Sequence, residues 1–187
     1  ANAGAIFRKI YISGAKVFIG GSCSSVGGQL RANLALVDTD AVVSSWAPNP
    51  NGQIYELTGD GTNLYTGGVF SNISGVARSY VASYTISSNA IRTWAPSLLG
   101  SGIWSVSPIG TNVYLGGAFT QVQGTSRTNL AAVSNANAAT IQAWNPETNS
   151  TVYEILADTN HIFAGGAFTD TELNVKQSYF RVYDATG

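Results

Sequence analysis

The sequence predicts an all-β fold assembled from about four copies of one four-stranded antiparallel unit. Two observations carry that prediction. One short stretch occurs four times, as VFIGGSC (Val17–Cys23), LYTGGVF (Leu64–Phe70), VYLGGAF (Val113–Phe119) and IFAGGAF (Ile162–Phe168). Its glycine pairs, Gly20–Gly21, Gly67–Gly68, Gly116–Gly117 and Gly165–Gly166, recur at spacings of 47, 49 and 49 residues, a period that signals an array of one supersecondary unit. The second observation is composition. Twenty-one glycines, 11% aromatics and many β-branched residues favour strands and tight turns, and Gly, Asn and β-branched residues interrupt every candidate helical window.

The second repeat shows the unit most clearly. Ile54–Thr58 alternates apolar and polar, the period of a half-buried strand. Gly59–Asn63 (GDGTN) is turn chemistry in which Asp60 caps its own backbone. Leu64–Gly68 is a second strand, Ser71–Ala77 a polar loop, Ser79–Thr85 a third strand and Ala90–Trp94 a fourth, closed by Pro96. The first repeat places strands at Ile6–Ile12, Val17–Gly21, Asn33–Val37 and Ala41–Trp46. The third places them at Ile103–Val106, Val113–Gly117, Thr128–Val133 and Thr140–Trp144. The fourth supplies three, Val152–Ile155, Ile162–Gly166 and Ser178–Tyr183, so its last blade is incomplete. The repeats run over 1–48, 49–97, 98–146 and 147–187.

A single small sheet cannot bury both faces, and stacking several around an axis solves this. The chain is therefore expected to be a β-propeller, or a segment of one, built of four-stranded antiparallel blades. Glycine pairs let crowded backbones approach closely, and the flanking aromatics (Phe18, Tyr65, Tyr114, Phe163 before, Phe after) fill the space between sheets. Cys23 stands at that second aromatic position in the first repeat and is expected to be a small buried hydrophobe. An open end would expose a strand edge, inviting self-association through open blade edges.

The order of an aromatic, any residue and Gly-Gly, then a Tyr- or Val-bearing strand, a turn and a terminal Trp resembles the kelch-type β-propeller repeat. The nearest variant is the kelch-like repeat of bacterial secreted and surface proteins, with its YxGGxF core and WxP ending. Here the endings read Trp46-Ala-Pro48, Trp94-Ala-Pro96 and Trp144-Asn-Pro146. The resemblance covers essentially the whole chain. It implies a propeller and leaves function open, because propellers host enzymes, lectins and protein-binding hubs alike.

Charge narrows the classes. Nine Lys and Arg against ten Asp and Glu leave no basic field for nucleic acid and no polybasic membrane patch. No apolar run approaches the ~20 residues of a membrane-spanning helix. Sparse charge with abundant Ser, Thr and Asn points to an extracellular or cell-surface setting, and the absence of Met to a processed product, an excised piece or part of a longer chain. Asn72-Ile-Ser74 and Asn149-Ser-Thr151 match glycosylation acceptors.

Candidate ligand-binding residues come from the repeat register. Ten residues past each second glycine stand Arg31, Arg78, Arg127 and Lys176, either bonding backbone carbonyls or a neighbouring blade's carboxylate, or ringing a ligand. Tyr55, Trp104 and Tyr153 occupy one position of the inner strands, as blade packing or a stacking surface. Asn49, Asn51, Asn72, Gln121, Gln123, Asn145, Glu147, Asn149 and Asp170 gather on the loop face and suit a sugar or a peptide as well as plain solvation. Catalysis finds little support: His161 is the single histidine and sits at a turn, and Asp38-Thr-Asp40 lacks a full calcium ligand set. The expectation is a non-enzymatic binding or adhesion module without cofactor or metal, its partner a glycan or a surface protein. A structural or assembly module is the alternative, and a fragment of a secreted hydrolase or oxidase a third.

Overall fold

The computed structural model describes residues 5–169 and 179–185, and those residues are all-β, without a helix. The chain divides into two compact units, Ala1–Arg92 and Thr93–Gly187. Each holds two small antiparallel sheets.

In the first unit, the first sheet orders Ile6–Ser13, Lys16–Ser22 and Leu34–Asp38 side by side. The second sheet orders Ile54–Gly59, Asn63–Gly68, Val81–Thr85 and the two-residue edge Ala90–Ile91. In the second unit, the third sheet joins Leu98–Ile109, Asn112–Val122 and Leu130–Ser134, and the fourth joins Val152–Ala157, His161–Gly166 and Phe180–Asp184. In the second and fourth sheets the hairpin turn between inner and second strands closes on an aspartate, as anticipated for Asp60. Asp60 Oδ1 accepts from the Thr62 and Asn63 amides at 2.9 and 2.7 Å, and Asp158 Oδ1 from those of Asn160 and His161 at 2.7 Å each.

Three expectations need correction. The fourth strands do not form as ladders: Ala41–Trp46 and Thr140–Trp144 keep only the isolated bridges Val37–Val43 and Val133–Ile141, and Ala90–Trp94 shrinks to Ala90–Ile91. An arginine side chain instead bonds the Ser44, Arg92 and Gln142 carbonyls. Ser71–Ala77 is not a plain loop but a two-stranded ribbon, Asn72–Ile73 against Val76–Ala77, turned at Ser74–Gly75. Cys23 is half-buried rather than sealed, although Phe70, Phe119 and Phe168 at its position are at most 2% exposed. Its partial burial raises the thiol pKa, only partly offset by the hydrogen bond to Asn33.

The glycine pairs have a geometric cause. Every inner strand carries a bulge opposite its pair, at Arg8, Tyr55, Trp104 and Tyr153. The bulge drives a backbone carbonyl onto the second glycine. A Cβ there would stand 2.0 Å from Ile6 O at Gly21, 2.1 Å from Gln53 O at Gly68, 2.3 Å from Gly102 O at Gly117 and 2.2 Å from Thr151 O at Gly166. In the first and third sheets the first glycine answers to the next sheet instead. A Cβ on Gly20 would meet Ile54 Cγ2 at 2.7 Å, and one on Gly116 would meet Ile155 Cδ1 at 2.8 Å. Consecutive sheets within a unit thus pack large side chains into a glycine hollow, and the two apolar cores lie between them.

Tryptophan ties each repeat to the next. Trp46 sits edge-on between Phe18 (5.7 Å) and Tyr84 (5.1 Å), and its Nε1 donates to Asn89 O. Trp144 repeats this between Tyr114 (5.1 Å) and Tyr183 (5.9 Å), donating to Asp184 O at 2.9 Å. Trp94 donates to Ser134 O at 2.8 Å.

Candidate loop-side binding site of the fourth repeat

The three arginines of the repeated register are committed to main chain. Arg31 Nη1 donates to Leu30 O at 2.6 Å and Nη2 to Ser44 O at 2.5 Å. Arg78 donates from Nη1 to Ala77 O (2.8 Å) and from Nη2 to Arg92 O (3.0 Å), and Arg127 to Ser126 O (2.8 Å) and Gln142 O (3.1 Å). Ser44, Arg92 and Gln142 each stand two residues before the repeat's tryptophan. The guanidinium fork therefore bridges the ribbon to the outer segment of its own repeat, and occupies the carbonyl that a longer ladder would have used. Lys176 lies outside the described residues.

Tyr55, Trp104 and Tyr153 are brought to one structural position, the bulge of each inner strand. Tyr55 is half-buried under the Arg8 guanidinium, 4.9 Å from its ring centroid, and donates to Gln53 Oε1 at 3.1 Å. Trp104 is half-buried and Tyr153 is exposed. Arg8, the bulge residue of the first sheet, escaped notice because the aromatic pattern stops before it.

Three of the loop asparagines stitch the linker to a neighbouring segment. Asn51 Oδ1 accepts from the Ser71 and Asn72 amides at 2.9 and 3.0 Å, and Asn49 Oδ1 from the Ala32 amide at 3.0 Å. Asn149 does the same in the fourth repeat, accepting from the Thr169 amide and donating to Thr169 Oγ1, both at 2.9 Å.

Beside this last stitch, within the second unit, lies a cleft of about 510 Å³. Exposed Asn145, Glu147 and Asn149 form one wall, with Thr128 and Thr148 behind them. Phe168, Tyr183 and Arg181 complete it, with the Arg181 guanidinium 4.9 Å from the Tyr183 ring centroid. The cleft combines a carboxylate, a guanidinium, two amides and three threonine hydroxyls around aromatic rings, a donor and acceptor set able to grip vicinal hydroxyls while a ring covers an apolar face. Sequence reading found the wall of Asn145, Glu147 and Asn149 but missed Arg181. A signal was present. Ladder register places Arg181 where the other repeats carry Ala35, Ala82 and Ala131, each fully buried.

Among the described residues no group of His, Cys, Asp and Glu is arranged to hold a metal ion, and no helix is long and apolar enough to cross a membrane. His161 stands at its turn with Nδ1 3.5 Å from Asp158 Oδ1. No protein-family model and no curated protein matches the chain.

Proposed function

We propose that this chain is a non-enzymatic, extracellular binding module of kelch-like β-propeller type. It recognises a carbohydrate or another polyhydroxyl component of a cell envelope through its loop side, as part of a bacterial secreted or surface adhesin. The observation that carries this reading is Arg181. Three repeats place a buried alanine at its position, whereas the fourth places a guanidinium in a polar cleft with Glu147, Asn145 and Asn149. The propeller part of the reading is supported by the repeated seating of one sheet's side chains in the glycine hollow of the sheet before it.

Arg181→Ala restores the residue the other repeats use, so it is expected to fold. Loss of hydrogen bonds to a charged group costs roughly 1.5–3 kcal/mol, so Arg181→Ala and Glu147→Gln are each expected to weaken a bound glycan by about tenfold or more. A glycan array followed by calorimetry on the intact protein checks this. A blank array together with a blank pull-down from envelope material would refute it.

A second reading, an assembly module, is favoured by a separate observation. Large apolar side chains are exposed on two sheet faces, with Ile10 and Ile12 on one and Leu156 and Phe180 on the other.

A further inference from the structure

We propose that copies of this chain associate head to tail. The Phe7–Ile10 face of one copy's first sheet docks on the Gly165 face of another copy's fourth sheet. The inference rests on the assembly reading and is independent of the glycan cleft.

Each unit already contains such an interface once. In the first unit Ile54 and Leu57 of the second sheet fill the hollow over Gly20, where a Cβ would lie 2.7 and 2.8 Å from their side chains. In the second unit Val152 and Ile155 fill the hollow over Gly116 at 2.9 and 2.8 Å. The ladder registers show which residues are equivalent. Phe7, Ile54 and Val152 each lie opposite the second glycine of their own sheet, and Ile10, Leu57 and Ile155 lie opposite the residue before the first glycine. Ile54, Leu57, Val152 and Ile155 are at most 4% exposed, whereas Phe7 is 48% and Ile10 62% exposed. The first sheet therefore presents the side chains of this interface largely exposed among the described residues.

The fourth sheet presents the complementary hollow. A Cβ on Gly165 would find no atom closer than Tyr179 O at 3.7 Å. Phe180, paired with Gly165, is 55% exposed, while its counterparts Leu34 and Leu130, paired with Gly20 and Gly116, are fully buried. An apolar depression of about 380 Å³ opens there, lined by Glu154, Leu156, Phe163, Gly165 and Phe180. Charge agrees with shape. Lys9 bridges to Glu56 of the next sheet at 3.0 Å, and Glu154 holds the Glu56 position in the fourth sheet, at the rim of the depression. The two faces differ, so the contact is heterologous. It closes into a ring or runs on as a filament, according to the rotation it imposes.

Sedimentation velocity on the intact chain, up to about 100 µM, tests the proposal. The expected result is a mass that rises with concentration above the 19.5 kDa monomer. Ile10→Lys and Leu156→Lys change exposed side chains and are expected to melt like wild type, while each weakens association by about tenfold or more. Mixed together they are expected to form a 1:1 heterodimer, because each retains the face the other has lost. A chain that stays monomeric throughout, association that survives either substitution, or a mixture that does not pair overturns the proposal. None of these outcomes bears on glycan titration, since Ile10 and Leu156 lie outside that cleft.

Discussion

The two glycines of a pair answer to different neighbours. The second faces a carbonyl of its own sheet across the bulge, and at Gly20 and Gly116 the first faces the side chains of the next sheet. Gly117→Ala would press a methyl to 2.3 Å from Gly102 O, and backbone cannot move aside as a side-chain tip can. Overpacking costs about 1–3 kcal/mol, so a drop of several degrees in melting temperature is expected for Gly117→Ala. Gly165→Ala, whose methyl would meet Tyr179 O at an ordinary 3.7 Å, is expected to melt within a degree or so of wild type. Scanning calorimetry of the pair checks both. Aspartates in the turns set a pH dependence. Burial pushes the Asp60 carboxyl up, but hydrogen bonds from Asn63, Thr62 and Tyr65 outweigh it and hold the pKa below 3.8. A carboxylate with a lowered folded pKa adds stability that is present above the unfolded value and lost as pH falls through the folded one. Asp60→Asn is therefore expected to lower stability at neutral pH and to shrink the loss of melting temperature below pH 3.8. Thermal melts across that range read it directly.

At the scale of elements, an arginine stands in for a strand. The outer segment of each of the first three repeats sends an equivalent bond inward, from the Ser44, Arg92 and Gln142 amides to the Leu36, Ser83 and Ala132 carbonyls at 2.8–2.9 Å. The carbonyls of those same residues accept from Arg31, Arg78 and Arg127. Removing one guanidinium leaves a partly buried carbonyl without its donor, at about 1–3 kcal/mol. Arg127→Ala is thus expected to lower the melting temperature and leave glycan affinity within about twofold of wild type. Arg127→Lys is expected to recover only part of the stability, because an ammonium cannot reproduce the fork. Comparing calorimetric melts with binding titrations separates the two roles. The tryptophan between Tyr114 and Tyr183 works at the same scale, tying one sheet to the next by ring packing and a single Nε1 bond.

For the whole molecule, repetition makes interface a property of the repeat. The first and fourth sheets each offer apolar side chains on one face and a glycine hollow on the other. A unit of two sheets satisfies one such junction internally, and the same chemistry stands exposed on the Phe7–Ile10 and Gly165 faces. The proposed head-to-tail association and the proposed glycan binding are thus separable, the first argued from sheet faces and the second from what varies at a loop-side cleft.

What the sequence determined by itself was periodic and local. The four Gly-Gly stretches located the second strands, alternation located the inner ones, and GDGTN announced an aspartate-capped turn, because these features depend on neighbours a few residues away. The candidate cleft was half legible: Asn145, Glu147 and Asn149 lie on one linker, but Arg181 reaches them only through ladder register. Only tertiary structure decided that the arginines serve carbonyls, that the fourth strands give way to single bridges, and that Cys23 is half-buried. It alone decided that the second glycine of each pair faces backbone and that Gly20 and Gly116 face the next sheet. Those outcomes turn on atoms brought together from residues that are ten to fifty positions apart, and the distance between such atoms is set by packing, which no local pattern records.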